Sequence, residues 1–389
     1  MNIIPYSCQD INQADIDAVV AVLHSDCLTQ GPIVPAFEEA VALQCGAQHA
    51  VAVNSATSAL HIACLALGVG PGDCVWTTPI TFVATANCAL YCGATVDFVD
   101  IDPRTYNLSV DRLAEKLAVA ARLGQLPKVV IPVHLSGQPC DMVGIHALSQ
   151  QYGFKIIEDA SHAISGKYQG APIGNGRYAD ITVFSFHPVK IITSGEGGMA
   201  LTNDAALATR LRLLRSHGIS STPEDMQPRP AQEIWNYQQI ALGFNYRMTD
   251  IHAALGLSQM RRLDEFLIQR HTIAQRYNQL LAELPVTTPW QHPDSYSAYH
   301  LYVIRLQLSS KSKTQRQVYD AFRAAGILVN LHYIPVYRHP YFEQMGFTAG
   351  YCLEAEEYYS QAISIPMYPG LTVMQQDLVV QVLGRVFGA

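Results

Sequence analysis

The sequence predicts an α/β protein with a large, doubly wound domain on a mainly parallel sheet, followed by a small α+β domain. Two patterns carry this prediction. From residue 14 to about 217, amphipathic segments alternate with short β-branched runs, which is typical of a parallel sheet covered by helices. After a long amphipathic stretch, Thr249–Leu284, strands become few. We place the domain boundary near residue 252, inside this stretch, which gives a large domain of residues 1–252 and a small one of residues 253–389.

The large domain contains seven predicted strands, each a short apolar or β-branched run bounded by turn residues. They are Ala50–Val53, Cys74–Thr77, Thr95–Val99, Lys128–Val133, Lys155–Glu158, Ile181–Phe186 and Met199–Leu201. Helical periodicity fills the gaps between them. The predicted helices are Asp15–Leu23, Pro35–Cys45, Ser58–Leu67, Phe82–Tyr91, Val110–Arg122, Val143–Tyr152 and Ala205–Arg215.

The small domain has fewer predicted elements, and helices dominate it. A strand at Tyr299–Leu306 is followed by a helix near Thr314–Ala325 and a second strand at Ile327–Leu331. Thr372 is the predicted N-cap of the last helix.

Composition excludes several classes of protein. Of 389 residues, 49% are hydrophobic and 15% charged, which excludes disorder, collagen-like repetition and a coiled coil. The 25 basic and 32 acidic residues give a net charge of −7, and no block of Lys and Arg occurs, so we expect no nucleic-acid partner. The 14 histidines lack metal-ligand spacing, and we expect no metal site.

Cysteine usage and the N-terminal segment predict the compartment. Nine cysteines without a Cys-x-x-Cys pair are typical of reduced thiols in the cytosol. The first residues become polar before any apolar signal-peptide core forms, and no apolar run approaches the roughly 18 residues that a membrane span needs. We expect a soluble, cytoplasmic protein without a membrane segment.

Ligands of open α/β sheets bind outside the carboxyl ends of the strands, so reactive residues that follow predicted strands are candidate site residues. The segment 54–58 (NSATS) opens a helix, where free amides and the helix dipole form an anion site. A phosphate could bind there, with the hydroxyl of Ser185 as a further donor. The alternative is plain N-capping by Asn54 or Ser55.

Lys190 and Asp159 each follow a predicted strand and have a structural alternative. Lys190 stands among small and apolar residues, which would desolvate its amine and favour Schiff-base chemistry; the alternative is a surface lysine that extends to solvent. The glycines at 195, 197 and 198 permit close backbone approach and favour the site. Asp159 either caps a helix or pairs with a cationic ring nitrogen.

A phosphate site, a strand-end lysine and a strand-end aspartate together match the needs of pyridoxal phosphate. This cofactor requires an anchor for its phosphate, an amine that forms an imine, and a negative charge beside its pyridine nitrogen. The combination is more specific than any one of the three features.

Longer segments resemble the sugar aminotransferases of the DegT/DnrJ/EryC1/StrS family. They include NSATSALH, TTPITFVATANCALYCGATVDFVDID, EDASHA, VFSFHPVKIITSGEGGMALTND, GFNYRMTDIHAALGLSQMRRLD, VNLHYIPVYRHPYF and AISIPMYPGLT, in this order over nearly the whole chain. Members of this family are pyridoxal-phosphate enzymes of fold type I, the aspartate aminotransferase-like fold. The resemblance therefore implies this fold and this cofactor.

The resemblance also assigns roles to individual residues. Lys190 would form the imine with the cofactor, and Asp159 would keep its pyridine nitrogen protonated. Phe82 would stack on the ring, and Asn245 would reach the phosphate across a homodimer interface. His162 stands where many members have glutamine beside the ring hydroxyl. The full set of implied cofactor residues is Ala56, Thr57, Ser58, Phe82, Asp159, His162, Ser185, Lys190 and Asn245.

Within the family, the N-terminal segment, DASHA and NLHYIPVY look most like the aminotransferases of pseudaminic acid biosynthesis. These enzymes use L-glutamate to aminate C4 of a UDP-linked 4-keto-6-deoxy-N-acetylhexosamine. The implied substrate residues are Tyr6, Asp26, Cys27, Leu28, Thr29, Arg247, His332 and Tyr333. Two alternatives stay open: an aminotransferase for a dTDP- or GDP-linked ketosugar, and a non-catalytic, cofactor-binding regulatory protein, which the presence of Lys190 disfavours.

Overall fold

A computed structural model of the chain describes residues 3–228, 233, 235–308 and 313–388. These residues form thirteen α-helices, α1 to α13 in chain order: Gln13–Leu23, Ile33–Cys45, Ala56–Ala66, Ala84–Tyr91, Val110–Leu123, Met142–Tyr152, Ala205–Arg215, Asp250–Met260, Leu263–Leu280, Gln315–Ala324, Pro340–Glu343, Leu353–Gln361 and Val373–Phe387. They also form fifteen strands, β1 to β15: His49–Val53, Cys74–Thr77, Thr95–Phe98, Val129–Ile131, Lys155–Asp159, Lys167–Tyr168, Ala171–Pro172, Ile181–Ser185, Gly198–Thr202, Ile219–Ser220, Gln238–Gln239, Val286–Thr287, Ser295–Tyr296, Tyr302–Leu306 and Ala362–Ile365.

The large sheet has seven strands in the order β1-β9-β8-β5-β4-β2-β3, and these are the seven predicted strands. Strands β8, β5, β4, β2 and β3 run parallel to one another, whereas β9 is antiparallel to both β1 and β8. The mainly parallel sheet is therefore confirmed. Because β9 runs in the opposite direction, its first residue, Gly198, lies at the same edge as Val53 and Ser185, the last residues of β1 and β8.

Helices cover both faces of this sheet. Successive side chains of a strand point to opposite faces, and in β1 Val51 and Val53 belong to one apolar cluster while Ala50 and Ala52 belong to another. The first cluster includes α3 and α4, and the second includes α2, α5 and α6. This arrangement is the predicted doubly wound domain.

The predicted long helix over Thr249–Leu284 is two helices, α8 and α9, separated at Arg261 and Arg262. Arg262 leaves the helical conformation with φ −108° and ψ 7°. Its guanidinium donates to Asp10 Oδ1 and Asp15 Oδ2, each at 2.6 Å, which ties the junction to the start of α1. The apolar periodicity continues through the junction, so periodicity alone could not show the break.

Helix α9 contacts two apolar cores. Its first turns place Leu263 and Phe266 in a cluster of the large sheet. Its later turns place Ile273 and Tyr277 in a cluster around the three-stranded sheet β12-β14-β15. We propose α9 as the link between the two predicted domains; the boundary near residue 252 stays a prediction.

The second strand predicted for the small domain, Ile327–Leu331, is wrong. Ile327 forms an isolated bridge with Ile4, and Asn330 forms another with Ser364. Because its residues pair with two different segments, this stretch does not form a continuous ladder. The strands that pair with β14 are β12 and β15, and the sequence analysis missed both. The last helix agrees with its prediction, since Thr372 caps α13 in a reciprocal capping box with Gln375. No helix in the described part of the chain is long and apolar enough to cross a membrane.

Candidate active site

Three predicted site groups lie at the carboxyl edge of the large sheet. The NSATS segment follows β1, and Asp159 is the last residue of β5 rather than the first residue of a loop. Lys190 lies on a turn after β8. Strands β5 and β8 are parallel neighbours, with Asp159 paired to Val183. The topology thus brings the lysine and the aspartate to adjacent strands.

The amino group of Lys190 is surrounded by protein atoms, although the residue as a whole is half-buried. Burial lowers the pKa of this amine from 10.5 to about 8, and the negative charge of Asp159 partly opposes the shift. The turn that carries Lys190 is anchored by Ser7, whose hydroxyl donates to the carbonyl of Val189 at 2.9 Å. Near neutral pH, a far larger fraction of this amine is neutral than of a surface lysine, although the protonated form still predominates.

The Asp159 carboxylate is buried, with 4% of the residue exposed, and three donors hold it. Oδ1 accepts from the Ser161 hydroxyl at 2.6 Å and from the Ser161 amide at 3.1 Å. Oδ2 accepts from the Thr85 hydroxyl at 2.7 Å. Residues 160–165 form turns rather than a helix, so the helix-cap alternative for Asp159 does not apply.

The start of α3 combines a cap with free amides. Ser55 is the N-cap, since its hydroxyl accepts from the amide of Ser58 at 3.1 Å. The hydroxyl of Ser58 donates to Asn54 Oδ1 at 2.6 Å. The amides of Ala56 and Thr57 belong to the first turn, which has no intrahelical acceptors. Capping by Ser55 is therefore compatible with an anion at this terminus.

Gly198 permits the close approach of α3 to the sheet. A Cβ at this position would lie 2.4 Å from the amide nitrogen of Ala56 and 2.4 Å from the carbonyl carbon of Ser55. Ser185 pairs with Gly198 in the ladder between β8 and β9. The absent side chain thus leaves room for the start of α3 beside Ser185.

His162 is buried, and its hydrogen bonds assign its tautomer. Nδ1 accepts from the amide of Ser136 at 3.2 Å, which places the ring proton on Nε2, 3.3 Å from the hydroxyl of Tyr333. Burial lowers the pKa of His162 far below its usual range, and the positive charge of Lys190 adds to the shift. His162 is therefore a neutral donor through Nε2, as the amide of a glutamine would be.

An aromatic wall next to this histidine consists of Tyr333, Phe82, His332 and Tyr6. The ring of Tyr333 is 6.2 Å from that of His162 and 6.4 Å from that of Phe82, which is 59% exposed. His332 lies 5.4 Å from Tyr6, between ring centroids, and its Nδ1 is 2.8 Å from the Ser364 hydroxyl. Burial, together with the charge of Lys190, lowers the pKa of His332 to about 3, so its ring is neutral.

The remaining predicted residues lie along one strip of surface. The turn of Asp26, Cys27, Leu28 and Thr29 is exposed, and Thr29 pairs with Thr249. In the segment just before Thr249, Arg247 forms an isolated bridge with Val53, and the exposed Asn245 forms one with Ser216. Within the described residues, this turn makes no hydrogen bond or ring contact with the aromatic wall of its own chain.

Sequence reasoning missed four residues that support the site: Thr85, Ser161, Ser136 and His300. The ring of His300 lies 4.3 Å from that of His162. Of these four, only Thr85 could have been found from the sequence. It follows Thr81 by four residues, and a helix would place the two hydroxyls on one face. Across the residues that the structure covers, no group of three or more His, Cys, Asp or Glu side chains could hold a metal ion.

Residues 9–384 match the DegT/DnrJ/EryC1/StrS aminotransferase family. The chain belongs to this family. A relative of this DegT-family chain, the spore coat polysaccharide biosynthesis protein SpsC of Bacillus subtilis, is 39% identical over 381 residues, which cover 97% of this chain and 95% of SpsC.

Two solved structures show the same fold over the whole chain. Helicobacter pylori PseC, an aminotransferase involved in the biosynthesis of pseudoaminic acid, has a TM-score of 0.90 and 30% identity, and the match covers 100% of both chains. The PLP-form of Spr1654, a putative sugar aminotransferase from Streptococcus pneumoniae, has a TM-score of 0.88 and 27% identity, and the match covers 99% of this chain and 98% of Spr1654. This DegT-family chain is thus a sugar aminotransferase of fold type I that depends on pyridoxal phosphate, as predicted.

The residues of this DegT-family chain fit the cofactor. The enclosed amine of Lys190, neutral in part near neutral pH, suits imine chemistry, and the buried carboxylate of Asp159 suits a protonated ring nitrogen. The absence of a Cβ at Gly198 lets the start of α3, with its free amides, lie beside Ser185. The neutral Nε2–H of His162 faces the hydroxyl of Tyr333.

The lowered pKa of Lys190 predicts how the apoenzyme takes up pyridoxal phosphate. Only the neutral amine attacks the aldehyde, so the rate of uptake should rise with pH up to about 8 and level off above it. Growth of the yellow absorbance after rapid mixing measures this rate. A rate that continues to rise to pH 10 would contradict the predicted pKa, and free lysine under the same conditions is the unshifted control.

Proposed function

We propose that this enzyme transfers an amino group from L-glutamate to C4 of UDP-2-acetamido-2,6-dideoxy-β-L-arabino-hexos-4-ulose, in pseudaminic acid biosynthesis. The observation that carries the proposal is the end-to-end similarity to Helicobacter pylori PseC, with a TM-score of 0.90. The placement of Tyr6, His332 and Tyr333 along the aromatic wall next to His162 supports it, because aromatic faces and neutral polar groups suit a sugar ring.

A second candidate is amination of another nucleotide-linked ketosugar. The identity to SpsC, a spore coat polysaccharide biosynthesis protein, is 39%, higher than the 30% identity to PseC. The higher identity to SpsC favours a different nucleotide-linked ketosugar as the substrate, aminated by the same reaction. Both candidates use the same catalytic residues and differ in the nucleotide sugar.

In the proposed reaction, Lys190 moves protons. Bound pyridoxal phosphate supplies an aldehyde that condenses with amines and a ring that accepts an electron pair from the reacting carbon. The Nζ of Lys190 removes the proton from the α-carbon of L-glutamate, and in the second half-reaction it delivers a proton to C4 of the sugar. A pKa of about 8 lets this amine act as base and then as acid near neutral pH.

The other predicted residues bind and orient. Asp159 places a negative charge opposite the ring nitrogen, and its three donors keep the carboxylate in one orientation. The first amides of α3, with Ser58 and Ser185, would hold the phosphate, and Phe82 would cover the ring. His162 would donate its Nε2 proton to the ring hydroxyl, and Tyr333 would exclude water on that side.

We also propose that the active unit is a cytoplasmic homodimer with shared sites. Asn245 and the turn of residues 26–29 are exposed and Arg247 is half-buried, so side chains of this region can reach a partner subunit. Because a two-fold interface uses each patch twice, both sites would be completed in the same way. All nine cysteines are free in the structure, which fits a reducing compartment.

Mixing two inactive variants tests the shared site. Equal amounts of Lys190→Ala and Asn245→Ala protein, after subunit exchange, should regain about a quarter of wild-type activity, because half of the dimers then carry one site with both groups intact. Each variant alone is the control. If Asn245 acts on its own chain, no mixed dimer has an intact site, and the absence of regained activity after verified exchange would contradict the proposal.

A substrate panel tests the proposed reaction. Holoenzyme is incubated with L-glutamate and UDP-, dTDP- or GDP-linked 4-ketosugars, and the aminated sugar is detected by mass. We expect product from the UDP-linked N-acetylhexosamine. Product only from a dTDP- or GDP-linked sugar would favour the second candidate, and no product from any sugar would favour a non-catalytic protein.

A further inference from the structure

Two buried hydroxyls form a chain that ends on the Asp159 carboxylate. Thr85 Oγ1 lies 2.7 Å from Asp159 Oδ2, and Thr81 Oγ1 lies 2.8 Å from Thr85 Oγ1. Thr81 and Thr85 are 3% and 1% exposed. The chain is therefore shielded from solvent, where a hydrogen bond to a charged group is strongest.

The direction of this chain follows from the chemistry of its members. An ionised carboxylate only accepts hydrogen bonds, so Thr85 gives its single hydroxyl proton to Asp159. Thr85 then accepts from Thr81. The order Thr81 to Thr85 to Asp159 thus holds for as long as Asp159 is ionised.

The two oxygens of Asp159 are held by different parts of the chain. Ser161, two residues later, supplies both donors of Oδ1. Among the described residues, Thr85 is the one hydrogen-bond donor to Oδ2. Loss of the Thr85 hydroxyl therefore leaves Oδ2 without a protein donor in a buried site, and a buried oxygen without a donor attracts a nearby proton more strongly.

We propose that Thr85 is a positioning residue that keeps the Asp159 carboxylate oriented toward the pyridine nitrogen of the cofactor, with Thr81 as its support. The proposal rests on the proposed roles of Asp159 and of the cofactor, and it does not depend on which sugar is aminated. A carboxylate that lacks the Thr85 donor would draw the ring proton toward itself and weaken the ring as an electron acceptor. Phe82 lies in the same segment, and its carbonyl accepts from the Thr85 amide at 3.1 Å, so one segment would set both the ring contact and the charge beside the ring nitrogen.

The simpler reading is that Thr85 only anchors the start of α4. An anchor would affect stability but not the protonation of the cofactor, so the ring nitrogen is the informative atom. Thr85→Val keeps the shape and removes the hydroxyl, whereas Thr85→Ser keeps the hydroxyl and removes a methyl group. If packing were the only role, the two variants would differ in stability alone.

The experiment uses holoenzyme reconstituted with ¹⁵N-labelled pyridoxal phosphate and no sugar. We expect the ring nitrogen of wild type and Thr85→Ser to be protonated, and that of Thr85→Val to shift toward the unprotonated form, by about 10- to 100-fold in the protonation equilibrium. Cofactor affinity, measured by fluorescence titration of the apoenzyme, should fall for Thr85→Val and be kept by Thr85→Ser.

Thr81→Val provides a second test if Thr85→Val does not fold. It removes the hydroxyl that donates to Thr85 and leaves the Thr85–Asp159 hydrogen bond. We therefore expect a smaller shift of the ring nitrogen toward the unprotonated form. A wild-type ring-nitrogen signal in whichever variant folds would overturn the proposal, as would an unprotonated ring nitrogen in wild type. If none of the tested sugars were aminated, the ring-nitrogen and affinity measurements would be unchanged. Failure of this proposal and failure of the proposed function are therefore distinguishable.

Discussion

Replacement of Lys190 by alanine is expected to abolish amino transfer and leave the fold intact. The variant loses the amine that carries protons in both half-reactions, and loss of this acid–base role alone costs about 10²- to 10⁴-fold in rate. The absorbance band of the imine linkage should also be lost, because alanine cannot link to the cofactor. Aminated product, the absorbance spectrum and thermal unfolding measure the three effects.

Two further lysine variants sharpen this test. Lys190→Arg keeps the positive charge but cannot form the link, so it should be as inactive as alanine. Lys167, an exposed residue of β6, is the matched control, and Lys167→Ala should keep both colour and activity. An active Lys190→Ala protein would refute the mechanism.

Asp159→Asn should keep the yellow link to Lys190 and slow proton removal from the donor by orders of magnitude. Asparagine has the shape of aspartate but no charge, so it stabilises the protonated ring nitrogen far less. The rate of the first half-reaction with L-glutamate, followed by the loss of yellow absorbance in a stopped-flow instrument, measures the effect. This assay needs no sugar substrate.

The neighbouring carboxylate offers a matched control for this variant. Glu158 is also buried, but it points to the opposite face of the sheet and accepts from the hydroxyl of Thr182 at 2.9 Å. Glu158→Gln therefore makes a similar change on the same strand away from the site and should keep the half-reaction rate. A wild-type rate in Asp159→Asn would mean that the carboxylate has only a structural role.

Much of the large domain could be predicted from local patterns. The seven strands of the large sheet were recognised because buried parallel strands are short apolar runs separated by amphipathic helices. The small domain was harder. The stretch over Ile327–Leu331 looks like a strand, but its residues pair with two partners, and long-range pairing is not visible in a local window.

The sequence by itself determined the fold type, the cofactor and the strand-end positions of Lys190 and Asp159, because strand periodicity and family motifs are local properties of the chain. Tertiary structure decided the electrostatics of the site. The lowered pKa of Lys190, the neutral tautomer of His162 and the Thr85 donor to Asp159 arise from groups that lie far apart in sequence. Burial and directional hydrogen bonds depend on three-dimensional proximity, so only the folded chain could show them.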